Sequence, residues 1–294
     1  MIPKHSRKLI SYGAAIVAGV SYGLNPLFAK PLLEGGVAVE SMLFFRYLIA
    51  MLCMALLMVV KRESFHITRS QMPVTAILGL LFSMSSLTLF IAYKFIPSGL
   101  ATTVIYLYPV FTALIMMTMG VHQTWKTWLS IAATFGGVVL LCLPSGKITL
   151  NLAGIGLAIL SALCYALYLV IVNRSQRIKT LSSHALTFYA LGIGAMIFYV
   201  LALTKGVNLT HGLNSAAMWL NVIGLGVFPT MVSLLALAIS TRSIGPTKTS
   251  VLGVFEPLTA IFIGTVLFAE PLTVNIIAGA TICIAAVTLL ILQK

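Results

Sequence analysis

The sequence contains no aspartate, and its acidic residues are five glutamates among 294 positions. Charged residues make up 8% of the chain against 60% hydrophobic ones, with a mean hydropathy of +1.09; a soluble domain carries roughly 25% charged residues. That shortage excludes an ordinary soluble fold. Cysteine is scarce too: Cys53, Cys142, Cys164 and Cys283 lie in apolar runs without CxxC spacing. Neither a disulfide framework nor a metal site is indicated, and they read as small packing residues. The histidines, His5, His66, His122, His184 and His211, sit in loops or at the edges of apolar runs. No metal and no cofactor are expected. The absence of a GxxxxGK[ST] loop removes support for an ATP-driven pump.

What the chain has is apolar sequence in runs of about 20 residues, the length a helix needs to cross a hydrocarbon core about 30 Å thick. Runs bounded by Lys, Arg, Pro or Gly place ten transmembrane helices near 9–29, 41–60, 74–93, 99–119, 126–143, 152–172, 184–203, 217–240, 249–269 and 273–292. The narrowest boundaries are KFIPSG (94–99) and AEPL (269–272). The expected fold class is an all-α integral membrane protein. The first run outlasts the apolar region of a signal peptide, about 7–15 residues, so the first helix is expected to be retained.

A net charge of +13 would suggest nucleic acid or another acidic partner on a soluble chain. Its placement argues otherwise. With a cytoplasmic amino terminus, 13 of the 18 Lys and Arg residues fall in inner segments, 4 (Lys30, Lys94, Lys147 and Lys205) in outer ones, and Arg46 within the second span. This positive-inside asymmetry orients both termini toward the cytoplasm of a multi-pass protein in the cytoplasmic (inner) membrane. No nucleic-acid partner is expected.

Internal similarity is visible. YKFIPSGLATTVIYLYP (93–109) over TRSIGPTKTSVLGVFEP (241–257) pairs Pro109 with Pro257, Ile96 with Ile244 and Lys94 with Arg242, at an offset of 148. AAIVAGVSYGL (14–24) over LAILSALCYAL (157–167) pairs Tyr22 with Tyr165; the next spans pair Leu43 and Phe45 with Leu186 and Phe188, both at an offset of 143. Their common order makes the chain a duplication of a five-helix unit, divided as 1–146 and 147–294. Five is odd, so the second copy enters the membrane from the opposite side. Inverted repeats are a recurring design of secondary transporters, with the solute site near the midplane where the repeats meet.

FFRYLIA (44–50) in the second span, YP and EP within spans four and nine, and LFAEPLT (267–273) opening the last hairpin resemble the drug/metabolite transporter superfamily, specifically its EamA-type branch of ten-helix carriers. The resemblance covers nearly the whole chain. One departure is GVHQTW (120–125), which stands where an acidic residue is common, so Glu270 lacks an acidic counterpart. The resemblance implies export or exchange of small metabolites, amino acids among them.

Glu256 lies about 4–5 Å from the middle of span nine at 1.5 Å per residue. An acidic group there is tolerable only facing the bundle interior or water. It is a candidate for carrying a proton or meeting a cationic amine; alternatively it is a neutral carboxyl bridging two helices. Pro109 and Pro257 are candidate hinges, since each removes an amide hydrogen and frees the carbonyl of Ile105 or Gly253, a group that must find another partner in lipid. Pro26, after Asn25, and Pro229 predict further kinks. Arg46, whose counterpart is Tyr189, falls within snorkelling reach of the outer interface. It is read either as attracting carboxylates or, the favoured reading, as pairing with Glu34 or Glu40. Tyr22, Asn25, Ser86, Tyr106, Tyr108, Tyr165, Thr230 and Ser233 complete the candidate substrate-binding set. Tyr106 and Tyr108 point about 200° apart on a helix, so one of the two is expected to line the pocket. Ala132 with Gly136 and Ala133 with Gly137 predict a close helix contact, within a monomer or between monomers.

The resulting expectation is a carrier of two inverted five-helix repeats that moves a small organic metabolite by alternating access, with the bilayer, the solute and protons as partners, as a monomer or weak homodimer. Efflux of cationic drugs is the nearest rival. A passive channel and a membrane-embedded enzyme or sensor are alternatives of other classes.

Overall fold

The computed structural model describes residues 4–92, 94–96, 101, 104–141, 151–267 and 274–292. Among the described residues there is no strand. The α-helices are α1 (Lys4–Gly23), α2 (Asn25–Glu34), α3 (Val39–Val60), α4 (Met72–Ala92), α5 (Tyr108–Thr118), α6 (Trp125–Leu141), α7 (Leu152–Arg174), α8 (Ser183–Thr204), α9 (Ala216–Gly226), α10 (Ser233–Ile244), α11 (Pro246–Leu252), α12 (Phe255–Leu267) and α13 (Val274–Leu292). They build ten spans because several spans are broken. Span one is α1 and α2, parted at Leu24; span eight is α9 and α10 joined by a π-helical stretch, Val227–Val232; span nine is α11 and α12, parted at Gly253–Val254. In span four a turn at Tyr106–Leu107 precedes α5. By length and composition α3, α4, α7, α8 and the continuous Ala216–Ile244 can each cross a bilayer. Large apolar side chains such as Leu52, Leu56, Met196 and Val200 are exposed on the outside, as a lipid-facing surface requires.

The breaks follow from the prolines, though not always as the sequence suggests. Pro229 has no amide to offer the carbonyl of Leu225; the Thr230 hydroxyl donates to that carbonyl instead, at 2.7 Å. Pro257 likewise withholds a partner from the Gly253 carbonyl, but that oxygen accepts from the Glu256 amide at 2.9 Å. The chain tightens into a shorter turn, and the freed Gly253 carbonyl finds its partner within its own span. Elsewhere helix starts are capped by side chains: Asn151 on α7, Ser182 on α8 and Ser215 on α9 accept from backbone amides.

Packing obeys the inverted repeat. Span one lies along span eight as span six lies along span three; one meets nine as six meets four, and two meets eight as seven meets three. Spans two and seven, four and nine, and five and ten pack on their own counterparts. The halves therefore interleave rather than sit side by side. Polar contacts repeat the relation. Ser233 Oγ donates to the Ala18 carbonyl at 2.9 Å. Their equivalents at offsets of 148 and 143 are Ser85 and Ser161, whose hydroxyls meet at 3.1 Å while Ser161 Oγ donates to the Ser85 carbonyl at 2.7 Å. The close contact expected of span five falls within the monomer on one of its two faces. A Cβ on Gly137 would lie 2.5 Å from Cys283 Sγ and 2.9 Å from the Gly279 carbonyl, whereas nothing lies within 4 Å of one on Gly136.

Candidate functional site

Where spans one, four, six, eight and nine meet, a cavity of about 10 Å³ remains, room for roughly one water. Its large polar lining residues are Tyr22, Tyr108, Tyr165 and Glu256. They form two symmetry pairs: Tyr22 with Tyr165 at an offset of 143, and Tyr108 with Glu256 at an offset of 148. The Tyr108 and Tyr165 rings stand edge to face with centroids 4.9 Å apart. The Glu256 carboxylate makes no hydrogen bond or ion pair with any described residue.

The position of Glu256 depends on two glycines one turn apart on α1. A Cβ on Gly23 would come within 2.5 Å of the Glu256 carbonyl oxygen, and one on Gly19 within 3.0 Å of the Phe255 Cβ. Close approach of α12 to α1 requires their absence of side chains. Sequence reasoning missed this pair, although the Gly-x-x-x-Gly spacing of residues 19–23 was its signal. The same five residues spell GxSxG, but a nucleophile elbow needs a strand-to-helix turn, and here the stretch is helical.

Arg46 corrects the favoured reading. Its side chain is 0% exposed and is bonded within the bundle rather than snorkelling. Nε donates to Thr230 Oγ1 at 2.5 Å and Nη2 to the Pro229 carbonyl at 3.4 Å, with the guanidinium carbon 5.6 Å from the Tyr22 ring centroid. Nη1 has no partner. Glu40 pairs instead with Lys205, at 2.7 Å. The kink at Pro229 explains the choice: the π-helical stretch presents a carbonyl and the Thr230 hydroxyl to one flat, multidentate donor.

The remaining candidates divide. Tyr106 points away from the cavity, its hydroxyl donating to the Val251 carbonyl at 2.9 Å. Ser86 shares a hydrogen bond of 2.8 Å with Tyr47, and Ser233 is committed to Ala18; neither lines the cavity. Pro109 and Pro257 sit in the first turns of α5 and α12, just past the two breaks. Asn25 Oδ1 is buried without a partner, as is the hydroxyl of Tyr168. Tyr168 is the counterpart of Asn25 at an offset of 143, a pairing that sequence reasoning passed over. Glu270 and Pro271 lie outside the described residues. Among the described residues no group of three or more His, Cys, Asp or Glu side chains could hold a metal.

The EamA-like transporter family model matches the chain twice, over residues 9–143 and 152–292. An uncharacterized transporter of Archaeoglobus fulgidus is 29% identical over 191 residues, 64% of this chain and 65% of that protein. The uncharacterized transporter YdfC of Bacillus subtilis is 23% identical over 281 residues, 95% of this chain and 87% of that protein. The uncharacterized inner membrane transporter YedA of Escherichia coli is 26% identical over 199 residues, 68% of this chain and 63% of that protein. The match thus spans just under two thirds of the first and third of these relatives. A protein crystal structure superposes with a TM-score of 0.79 over 98% of this chain and 99% of that one. At 15% identity it shows the fold alone.

Proposed function

The chain belongs to the EamA-like transporter family, and from that membership we propose that it is a secondary carrier exporting or exchanging an amino acid or related amphipathic metabolite across the cytoplasmic membrane. The observation that carries the reading is the pairing of Tyr22 with Tyr165 and of Tyr108 with Glu256 around one central cavity. A site on the pseudo-two-fold axis between inverted halves can open to either side by equivalent movements. With space for about one water, the cavity admits an organic solute only when the surrounding spans part, as alternating access demands and an open channel does not. The breaks before Pro109 and Pro257 are the proposed hinges, and Glu256 the proposed proton carrier. Tyrosine rings supply apolar area with polar tips, suited to an amphipathic solute. The positive-inside charge supports both termini facing the cytoplasm.

A second reading, efflux of hydrophobic cations, is favoured by one feature: a carboxylate without a partner among three tyrosine rings, which attract cations through their faces. Counterflow in proteoliposomes tests both. Loading the lumen with one solute of a panel of amino acids, sugars and quaternary amines should accelerate saturable entry of the same labelled solute. Amino-acid exchange is the expected outcome; acceleration by quaternary amines alone selects the second reading, and unsaturable flux indifferent to the far side sinks the carrier reading.

A further inference from the structure

Four spans end in the same reverse turn, in which two successive amides past the helix donate back to carbonyls three and five residues earlier. Spans one, four and seven make it at Gly36, Gly120 and Gly206, with φ of 78°, 79° and 64°. Span two makes it at Arg62, whose amide donates to the Val59 carbonyl at 3.0 Å while that of Glu63 donates to the Met58 carbonyl at 2.9 Å. Arg62 has a φ of 54° and is, among the described residues, the one non-glycine with a positive φ. A Cβ in that left-handed conformation crowds the backbone, a conflict that glycine escapes. The dipole of α3 does not account for the choice, because Lys61 beside it already sets a cation at that helix end in an unstrained conformation, with φ −80°. A strained residue kept where glycine serves elsewhere points to a task for its side chain.

The surroundings give that task its chemistry. Arg62 is exposed and follows directly on Val59 and Val60, apolar side chains that are 62% and 72% exposed, so its guanidinium stands where the lipid-facing surface of α3 gives way to the headgroup layer. The segment 61–71 is tied to the segment leading into α8: Glu63 accepts from Ser182 Oγ at 2.9 Å and pairs with His184 at 2.9 Å, and Gln71 Nε2 donates to Thr180 Oγ1 at 3.0 Å. One folded surface thus carries Arg62, Arg69, Arg174, Arg177 and Lys179, all exposed and none in an ion pair or side-chain hydrogen bond with a described residue. Its acidic group, Glu63, is already engaged. At the other end of α3 and α8 the charges cancel, Glu40 pairing with Lys205 at 2.7 Å.

We propose that this surface binds the headgroups of anionic phospholipids, with Arg62 as the contact that the turn holds at the membrane boundary. A phosphodiester offers the paired oxygens that a guanidinium fork engages, and clusters of Lys and Arg beside span ends attract anionic lipid. A zwitterionic headgroup leaves the charge of the surface unanswered. The proposal is independent of which solute the protein moves.

The test is the thermal shift of the purified, detergent-solubilised chain titrated with dioctanoyl phosphatidylglycerol, dioctanoyl phosphatidylcholine or glycerol phosphate. Phosphatidylglycerol should stabilise saturably and the other two should not, and added salt should weaken the effect. Arg62→Gly relieves the turn, so without lipid its melting temperature should equal or exceed that of the unaltered chain. Half-saturation by phosphatidylglycerol should nonetheless need about fivefold more lipid, the loss expected of one Lys or Arg at an anionic surface. Adding Arg69→Gln and Arg177→Gln should raise that factor to about a hundredfold. An arginine that serves the turn alone gives the opposite pattern, a lowered melting temperature with unchanged lipid affinity, and that pattern overturns the proposal. Phosphatidylcholine matching phosphatidylglycerol overturns it as well, and so does glycerol phosphate stabilising as strongly as the lipid, which would mark a site for free phosphate.

Discussion

Placing an acidic side chain near the centre of a membrane helix costs roughly 2.5–3.5 kcal/mol on insertion scales, and Glu256 is held there by close packing of α12 on Gly19 and Gly23 rather than by a neutralising partner. A group held at such cost beside a cavity fits the proposed role of proton carrier. Glu256→Gln keeps its shape and abolishes its titration. Counterflow without a gradient should then survive with weakened solute affinity, while acceleration by a pH gradient across the proteoliposome membrane disappears. Persistence of that acceleration in the variant would remove Glu256 from proton coupling. The residue was legible because a carboxylate in a long apolar run stands out without knowledge of its neighbours, and so were Tyr22, Tyr108 and Tyr165. Arg46 was not. Position along a span fixes depth roughly but not the face presented, and the hydroxyl that orients its Nε lies 184 residues away.

Among the elements, proline positions announced where spans four, eight and nine depart from regular helix, yet not how each departure is repaired. The repairs use groups that the sequence brings near only locally: the Thr230 hydroxyl reaches the Leu225 carbonyl, and the Glu256 amide turns back to Gly253. In span one the break falls at Leu24, two residues before Pro26. Helix-to-helix contact was half legible. Ala-x-x-x-Gly spacing marked span five as able to approach a neighbour, but two such faces overlap and spacing does not say which is used. The structure uses the Gly137 face, against Gly279 and Cys283 of span ten. Gly137→Leu should therefore wedge α6 from α13 and lower stability by about 1–3 kcal/mol, the usual cost of overpacking. Gly136→Leu, with open space before it, should change the melting temperature little. Equal losses from the two substitutions would contradict the observed face, and a gain of dimer on Gly136→Leu would show that this face lies near a second copy.

For the molecule as a whole, the duplication could be read from two offsets, while the interleaving of the halves could not, since nothing in a repeat specifies which spans of one copy lie along which spans of the other. That interleaving makes a prediction about motion. Ser11, near the start of span one, and Ser243, at the end of span eight, touch through their hydroxyls at 2.6 Å. Their counterparts are Gly154, near the start of span six, and Phe95, just past span three; there a Cβ on Gly154 would lie 2.9 Å from the Phe95 Cβ. The two contacts close opposite ends of the bundle because the halves are inverted. If the carrier alternates, one of them must separate in each of its open states. In a background with Cys53, Cys142, Cys164 and Cys283 replaced by Ala, the double substitutions Ser11→Cys with Ser243→Cys, and Phe95→Cys with Gly154→Cys, put two sulfurs within reach of each other: the first pair replaces hydroxyls in contact, and the second stands at a Cβ separation of 2.9 Å, which a small shift relaxes to the roughly 3.5–4.5 Å of a disulfide. Oxidation of either pair should stop counterflow, and reductant should restore it. A thiol reagent directed at a cysteine introduced at Tyr22 should reach the cavity from only one side in each locked form, and from opposite sides in the two. Undiminished exchange with either crosslink in place would mean that the end it spans never opens, and that solute crosses by a route other than the axis between the halves.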